Sequence, residues 1–167
     1  RLRYDDVFDL WTMNADGTNI QQLTSTGYAR HKPKWSHDGQ KLAFNYIDHS
    51  PGATVNEIHM MDVDGSDEVV LASIPPHTAT DVSWSPNDAK IVYTSSDGIW
   101  LVKTSPPYDN VHLFTTSLPA SHVCFSPDGK YILFSRQRVA GLSQEDFYLI
   151  DVNGNFVAQL TDNGMIM

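Results

Sequence analysis

Trp35-Ser36-His37-Asp38-Gly39-Gln40-Lys41-Leu42-Ala43-Phe44 runs from an aromatic residue through a short polar turn into an apolar stretch. The chain repeats it as Trp84-Ser85-Pro86-Asn87-Asp88-Ala89-Lys90-Ile91-Val92-Tyr93 and again as Phe125-Ser126-Pro127-Asp128-Gly129-Lys130-Tyr131-Ile132-Leu133-Phe134. Each copy reads as an aromatic-ended strand, a tight turn and a second strand. Pro presets φ for the turn, Asp bonds its own backbone, and Gly takes the left-handed position that closes the hairpin. The middle copy has Asn87-Asp88-Ala89 where the others have Asp-Gly, which predicts a looser or differently shaped turn.

A second pattern interleaves with the first. It runs Leu10-Trp11-Thr12-Met13-Asn14-Ala15-Asp16-Gly17, then Ile58-His59-Met60-Met61-Asp62-Val63-Asp64-Gly65, then Phe147-Tyr148-Leu149-Ile150-Asp151-Val152-Asn153-Gly154, with a weaker copy at 99–104. Asp-Gly and Asn-Gly between apolar runs are hairpin signals. A short strand follows, ending in Gln22-Leu23-Thr24 and again in Gln159-Leu160-Thr161. No stretch sustains a 3.6-residue apolar period, so helix is not expected. Four short antiparallel strands in ~40–50 residues is the content of one propeller blade. The fold class is therefore all-β: four-stranded antiparallel β-propeller blades, three complete and one partial, in a single domain over residues 1–167. The partial blade covers 1–24, with its second strand at 2–4, and complete blades run about 33–72, 81–115 and 121–161. A lone blade cannot bury both faces, so neighbours must stack. Trp35, Trp84 and Phe125, at one blade position, are expected to pack between blades.

Composition narrows the function classes. The chain has 167 residues, 41% hydrophobic and 19% charged, with 20 Asp and Glu against 11 Lys and Arg for a net charge of −9. Such acidity disfavours nucleic acid and anionic lipid as partners. No apolar run approaches the ~18 residues of a membrane span. One cysteine, Cys124, excludes an intrachain disulfide and a Cys-rich metal site. The chain opens at Arg1 without an initiator Met or signal peptide, as a piece cut from something longer does.

The blades resemble the WD-like repeats of TolB and its relatives, whose signature is an aromatic-Ser-Pro-Asp-Gly-Lys hairpin, a strand ending near Asn-x-Asp-Gly and a closing Leu-Thr. Residues 9–17 and 125–130 carry the resemblance best, and it covers nearly the whole chain. His37 in place of the turn Pro and Asn87-Asp88-Ala89 depart from it, and the family's N-terminal α/β domain is absent. The matching residues are turn and packing positions, specific for fold and weak for function. The resemblance implies a periplasmic or otherwise extracytoplasmic scaffold that docks protein partners on its propeller. The same blade type also forms the lid of prolyl-oligopeptidase-like peptidases and occurs in tricorn-type proteases and some sugar lyases. The alternative is accordingly a propeller fragment of an enzyme, either a peptidase's gating domain or a metal-assisted sugar lyase.

Residues that could carry chemistry are few. Asp62-Val63-Asp64-Gly65-Ser66-Asp67-Glu68 is rich in carboxylates, but Gly comes too early for a calcium loop and the segment aligns with hairpin turns. Gly141-Leu142-Ser143-Gln144-Glu145 lacks the second Gly of a nucleophile elbow. Cys124 falls inside a predicted innermost strand and is expected to be buried and inert. No catalytic residue, cofactor or metal is expected. Of the seven histidines, His31 and His122 precede the inner-strand aromatics by four and three residues, and Asp81 precedes Trp84 by three. Lys32 shares that register. His31, Lys32, Asp81 and His122 should surround one mouth of the central channel and bind a protein or peptide partner there. His37, in a turn, and His59, in a strand, should stay outside this cluster. Ring closure is expected through a second chain or through absent sequence, rather than by residues 163–167 folding back beside 2–4.

Overall fold

The computed structural model describes residues 8–25, 27–48, 55–74, 81–139 and 144–162. The expected strands at 2–4 and 163–167, with His49 and His77, lie outside the described residues. A two-stranded ribbon, β1 (Trp11–Thr12) with β2 (Gln21–Gln22), comes first. Three four-stranded antiparallel sheets follow, each with its strands in chain order. They comprise β3 (Ala29–Trp35), β4 (Lys41–Asp48), β5 (Val55–Asp62) and β6 (Val69–Ser73); then β7 (Val82–Trp84), β8 (Lys90–Ser95), β9 (Gly98–Lys103) and β10 (Asn110–Thr115); then β11 (Ala120–Phe125), β12 (Tyr131–Gln137), β13 (Glu145–Asp151) and β14 (Phe156–Gln159). We number the ribbon blade 1 and the sheets blades 2 to 4. No helix occurs among the described residues, and every element is a strand. The fold is a run of β-propeller blades.

Period-2 alternation decides how the blades stack, because successive side chains leave opposite faces of a strand. On blade 2, Leu42, Phe44 and Met61 look back to Leu10 of blade 1, while Ala43, Ile58 and Met60 look forward. The forward set meets Trp84, Ile91, Tyr93 and Val102 of blade 3. One blade later, Val92, Ile99 and Leu101 meet Ile132, Phe134, Tyr148 and Ile150. Most of these are under 5% exposed, and each fully buried aliphatic or aromatic side chain contributes about 1.5–3 kcal/mol.

Three expectations are corrected. Trp84 is buried between blades, and its indole N–H donates to the Lys34 carbonyl at 3.0 Å, but Trp35 is 55% exposed. The inner-strand aromatic packs on the preceding blade, and blade 1 offers Trp35 no inner strand among the described residues. Cys124 is exposed, because its strand position faces the axis rather than a blade junction. The Asn87-Asp88-Ala89 turn is not looser. Asp88 takes the left-handed conformation (φ 55°) that Gly39 and Gly129 take (φ 70°), and the closing N–H to Ser carbonyl bond recurs at 2.8, 3.1 and 2.9 Å.

Candidate axial binding site

The innermost strands β3, β7 and β11 lie side by side. The Trp84 indole reaches from β7 to β3, and the Phe125 N–H donates to the Ser83 hydroxyl across β11 and β7 at 3.4 Å. Lys34, Ser83 and Cys124, one from each strand, line a shallow groove of about 170 Å³ where these strands meet. His37 lines it too, although its turn position excluded it from the expected cluster. The groove wall and the Asp81 carboxylate push the Cys124 thiol pKa up, so the thiolate is disfavoured despite the exposure.

Within the inner strands the chain departs from a regular ladder twice. Lys32-Pro33 together oppose Phe44, and His122-Val123 oppose Phe134, so β3 and β11 each carry a bulge. The first residue of each bulge is non-glycine with positive φ, 52° at Lys32 and 50° at His122. Holding such a residue left-handed costs of order 1–3 kcal/mol and is typical of places where a side chain is re-aimed. Asp81 has the same offset from its aromatic on blade 3, but β7 has no bulge there and Asp81 faces Thr94 across a regular ladder. It is 7% exposed, receives the Val82 N–H at 3.0 Å, and its backbone is bonded on both sides to Thr94. Lys34 lies 3.9 Å away.

The four sequence-derived candidates are thus placed differently. Lys32 is exposed at its bulge. His122 is exposed, its Nδ1 3.1 Å from the Ser135 hydroxyl and 3.4 Å from Glu145. Ser135 is itself buried and donates to Glu145 or to the Ser121 carbonyl. Asp81 is largely buried and anchors the start of β7. His31 is half-buried with its ring 4.8 Å from that of Phe8, against blade 1. Counted back from the inner-strand aromatics Lys32, Asp81 and His122 share one offset, but the bulges shift the ladder, and the residues at equivalent places in it are His31, Asp81 and Ser121, opposite Asn45, Thr94 and Ser135.

Sequence reasoning missed two constellations. One is a clamp beside the outer strand pair of blades 1 and 4. The Thr24 hydroxyl donates to Asp9 at 3.1 Å and accepts from the Leu10 N–H, while Gln22 bonds Asp9 and the Thr24 carbonyl. Asp146, Phe147, Gln159 and Thr161 repeat this bond for bond, and Ser73 with Glu57 is a reduced copy. The repeated Gln-Leu-Thr was the visible signal; its acidic partner stands just before the paired strand. The other is a buried network on blade 2. His59 is stacked on Tyr46 and bonds Glu57 at 2.8 Å and Glu68 at 2.7 Å, and Glu68 is paired with buried Arg30. Nothing in the spacing of these residues announces it.

Comparison with known proteins bears on fold and family. Residues 1–166 match the family model described as the TolB beta propeller domain. Among solved structures, TolB from Acinetobacter baumannii superposes with TM-score 0.72 and 22% identity, covering 93% of this chain and 38% of that one. A chain of a nidogen/laminin complex gives TM-score 0.72 at 12% identity, covering 93% and 55%. A prolyl endopeptidase gives 0.66 at 17%, covering 96% and 27%. The chain thus spans well under two thirds of each, and identities this low carry the fold alone. Among curated protein sequences none matches. No described helix is long and apolar enough to cross a membrane.

Proposed function

We propose, from the premise that this chain belongs to the TolB β-propeller domain family, that it is a non-enzymatic module binding a protein or peptide segment at the axial mouth of its blades. The observation that carries this reading is a polar residue three places before the aromatic of three successive inner strands, Lys32, Asp81 and His122, with Lys32 and His122 exposed on strained bulges. Converging polar groups at the end of a channel are the default binding surface of such a fold. Family membership supports a periplasmic or other extracytoplasmic setting for the module. The enzyme-accessory alternative, a peptidase gate or a lyase, draws on likeness of fold only and engages no residue here in a reaction.

Selection of peptides from a random displayed library, with counter-selection on a Lys32→Ala, His122→Ala double variant, tests the reading. The variant should keep its β-sheet circular dichroism, since exposed substitutions stay within about ±0.5 kcal/mol. Recovered peptides that bind the double variant as tightly as the parent chain overturn the mouth as the binding surface. If His122→Ala alone unfolds the chain, His122 is a core residue and the site fails.

A further inference from the structure

We infer that the segment seated at this mouth is acidic, a peptide bearing several Asp or Glu side chains; the inference rests on the mouth being the binding surface. The chain carries −9 overall, yet β3 reads Ala-Arg-His-Lys-Pro-Lys-Trp and places three of its 11 Lys and Arg residues within five positions. Arg30 is spent on Glu68. Of the other two, Lys32 is exposed on its bulge and Lys34 lines the groove between the inner strands. Lys34 is only loosely held, 48% of its side chain exposed and its ammonium 3.9 Å from Asp81. Lys32 is exposed and meets no carboxylate among the described residues.

A further cation joins them from blade 4. Arg136 pairs across the ladder with Ala120, at the very start of β11, and so sits at the mouth end. Its guanidinium donates to the Tyr148 hydroxyl at 3.0 Å and lies 4.5 Å over that ring, and its buried Nε has no partner among the described residues. No described carboxylate neutralises it. Beside them His122 offers an exposed imidazole. Among the described carboxylates beside them, Asp81 already faces Lys34, and Glu145, at the start of β13, already faces His122 and Ser135. Asp48 and Asp97 lie farther out, at the links between the second and third strands of blades 2 and 3.

Cations near the axis, inside a rim of acids on an acidic chain, focus the field on one spot. An acidic segment is then drawn to the mouth and repelled from the rest of the surface, which sets register as well as attraction. Basic and neutral segments gain nothing there. Exposed charges of this kind are screened within about 10 Å at ~0.1 M salt, so binding must weaken as salt rises.

Fluorescein-labelled hexaglutamate, hexalysine and a Gly-Ser peptide of equal length, titrated with the intact chain and followed by anisotropy, test this. Hexaglutamate should bind at low salt and weaken about tenfold or more, roughly 1.4 kcal/mol, in Lys32→Glu. Lys32→Asn, which removes the charge while tolerating the left-handed backbone, should weaken it less. Lys90→Glu, at an exposed cation on the opposite end of the blades with no ion pair among the described residues, should leave it unchanged. Equal loss in the Lys90 and Lys32 variants, or no hexaglutamate binding at all, overturns the acidic partner. If instead hexalysine or the neutral peptide binds and responds to Lys32→Asn, the mouth stands and only its charge preference falls. If no peptide responds to any mouth variant, both readings fall.

Discussion

Trp35 and Trp84 end equivalent strands, yet one is 55% exposed and the other 3%. Sequence made them equal, because the motif around each is the same and burial is supplied by a different blade. Trp84→Ala should therefore cost about 3–5 kcal/mol, whereas Trp35→Ala should move stability by no more than about 0.5 kcal/mol. Parallel urea melts decide it, and similar losses would mean that Trp35 has a cover. Glycines diverge in the same way. Gly39 and Gly154 both hold positive φ, but a Cβ at Gly39 meets nothing within 4 Å while one at Gly154 lands 2.1 Å from the Leu113 carbonyl oxygen. Alanine at Gly39 pays only for the left-handed backbone, about 1–2 kcal/mol. At Gly154 it must also displace the neighbouring blade's main chain, so the melt should fall further. Lys32 and His122 were legible as members of one register, but the bulges that aim them were not. A register slip leaves no mark on the residue pattern of one strand.

At the scale of the hairpin, two departures from the repeat explain each other. Asp88 stands where the other copies have Gly, and His37 stands where they have Pro. The Asp88 carboxylate accepts the His37 and Asp38 N–H groups at 2.8 and 3.0 Å and faces the His37 ring at 2.9 Å. At the next junction Pro86 has no N–H to give, and Gly129 has no carboxylate to receive one; a Cβ added at Gly129 would meet the Pro86 ring at 3.6 Å. Reading the copies one at a time suggested a degraded turn, because the compensating residue lies 51 positions away. Burial works to raise the Asp88 pKa, but the bonds from His37 and Asp38 outweigh it, and the folded value lies below the ordinary 3.8. Asp38 and Asp128 are lowered chiefly by the Ser36 and Ser126 hydroxyls. A depressed carboxyl pKa contributes stability that is complete above the unfolded value and lost as pH falls through the folded one. This contribution to stability should thus be flat at neutral pH and decline below about pH 4. Asp88→Asn should shrink that acid-limb slope in urea melts taken across the range; an unchanged slope would remove Asp88 from the account.

Over the whole molecule the repeat leaves two faces without a mate among the described residues. Ile58 and Phe147 hold the same blade position, 0% and 43% exposed, because blade 3 covers the first and no described blade covers the second. On the other side Trp11 and Met13 are 58% and 67% exposed. Ile58→Ala should cost about 2–5 kcal/mol. Phe147→Asp should leave the melt nearly unchanged while lowering apolar-dye binding and self-association in light scattering, since an open apolar face is adhesive; a large loss of stability would place Phe147 in a core. The stacking period was readable from the chain, whereas which face of which blade stays open depends on neighbours the motif does not encode. The backward reach of each inner-strand aromatic also bears on how the protein is made. Trp84 and Phe125 both dock on a blade that left the ribosome earlier, so each new blade meets a finished template and needs nothing still inside the exit tunnel. Nascent chains arrested with residue 74, 116 or 162 just emerged should gain protease resistance one blade at a time, whereas a single cooperative core would resist only at full length. Synthesis then proceeds as extension of a stack, with the apolar forward face always at the growing end.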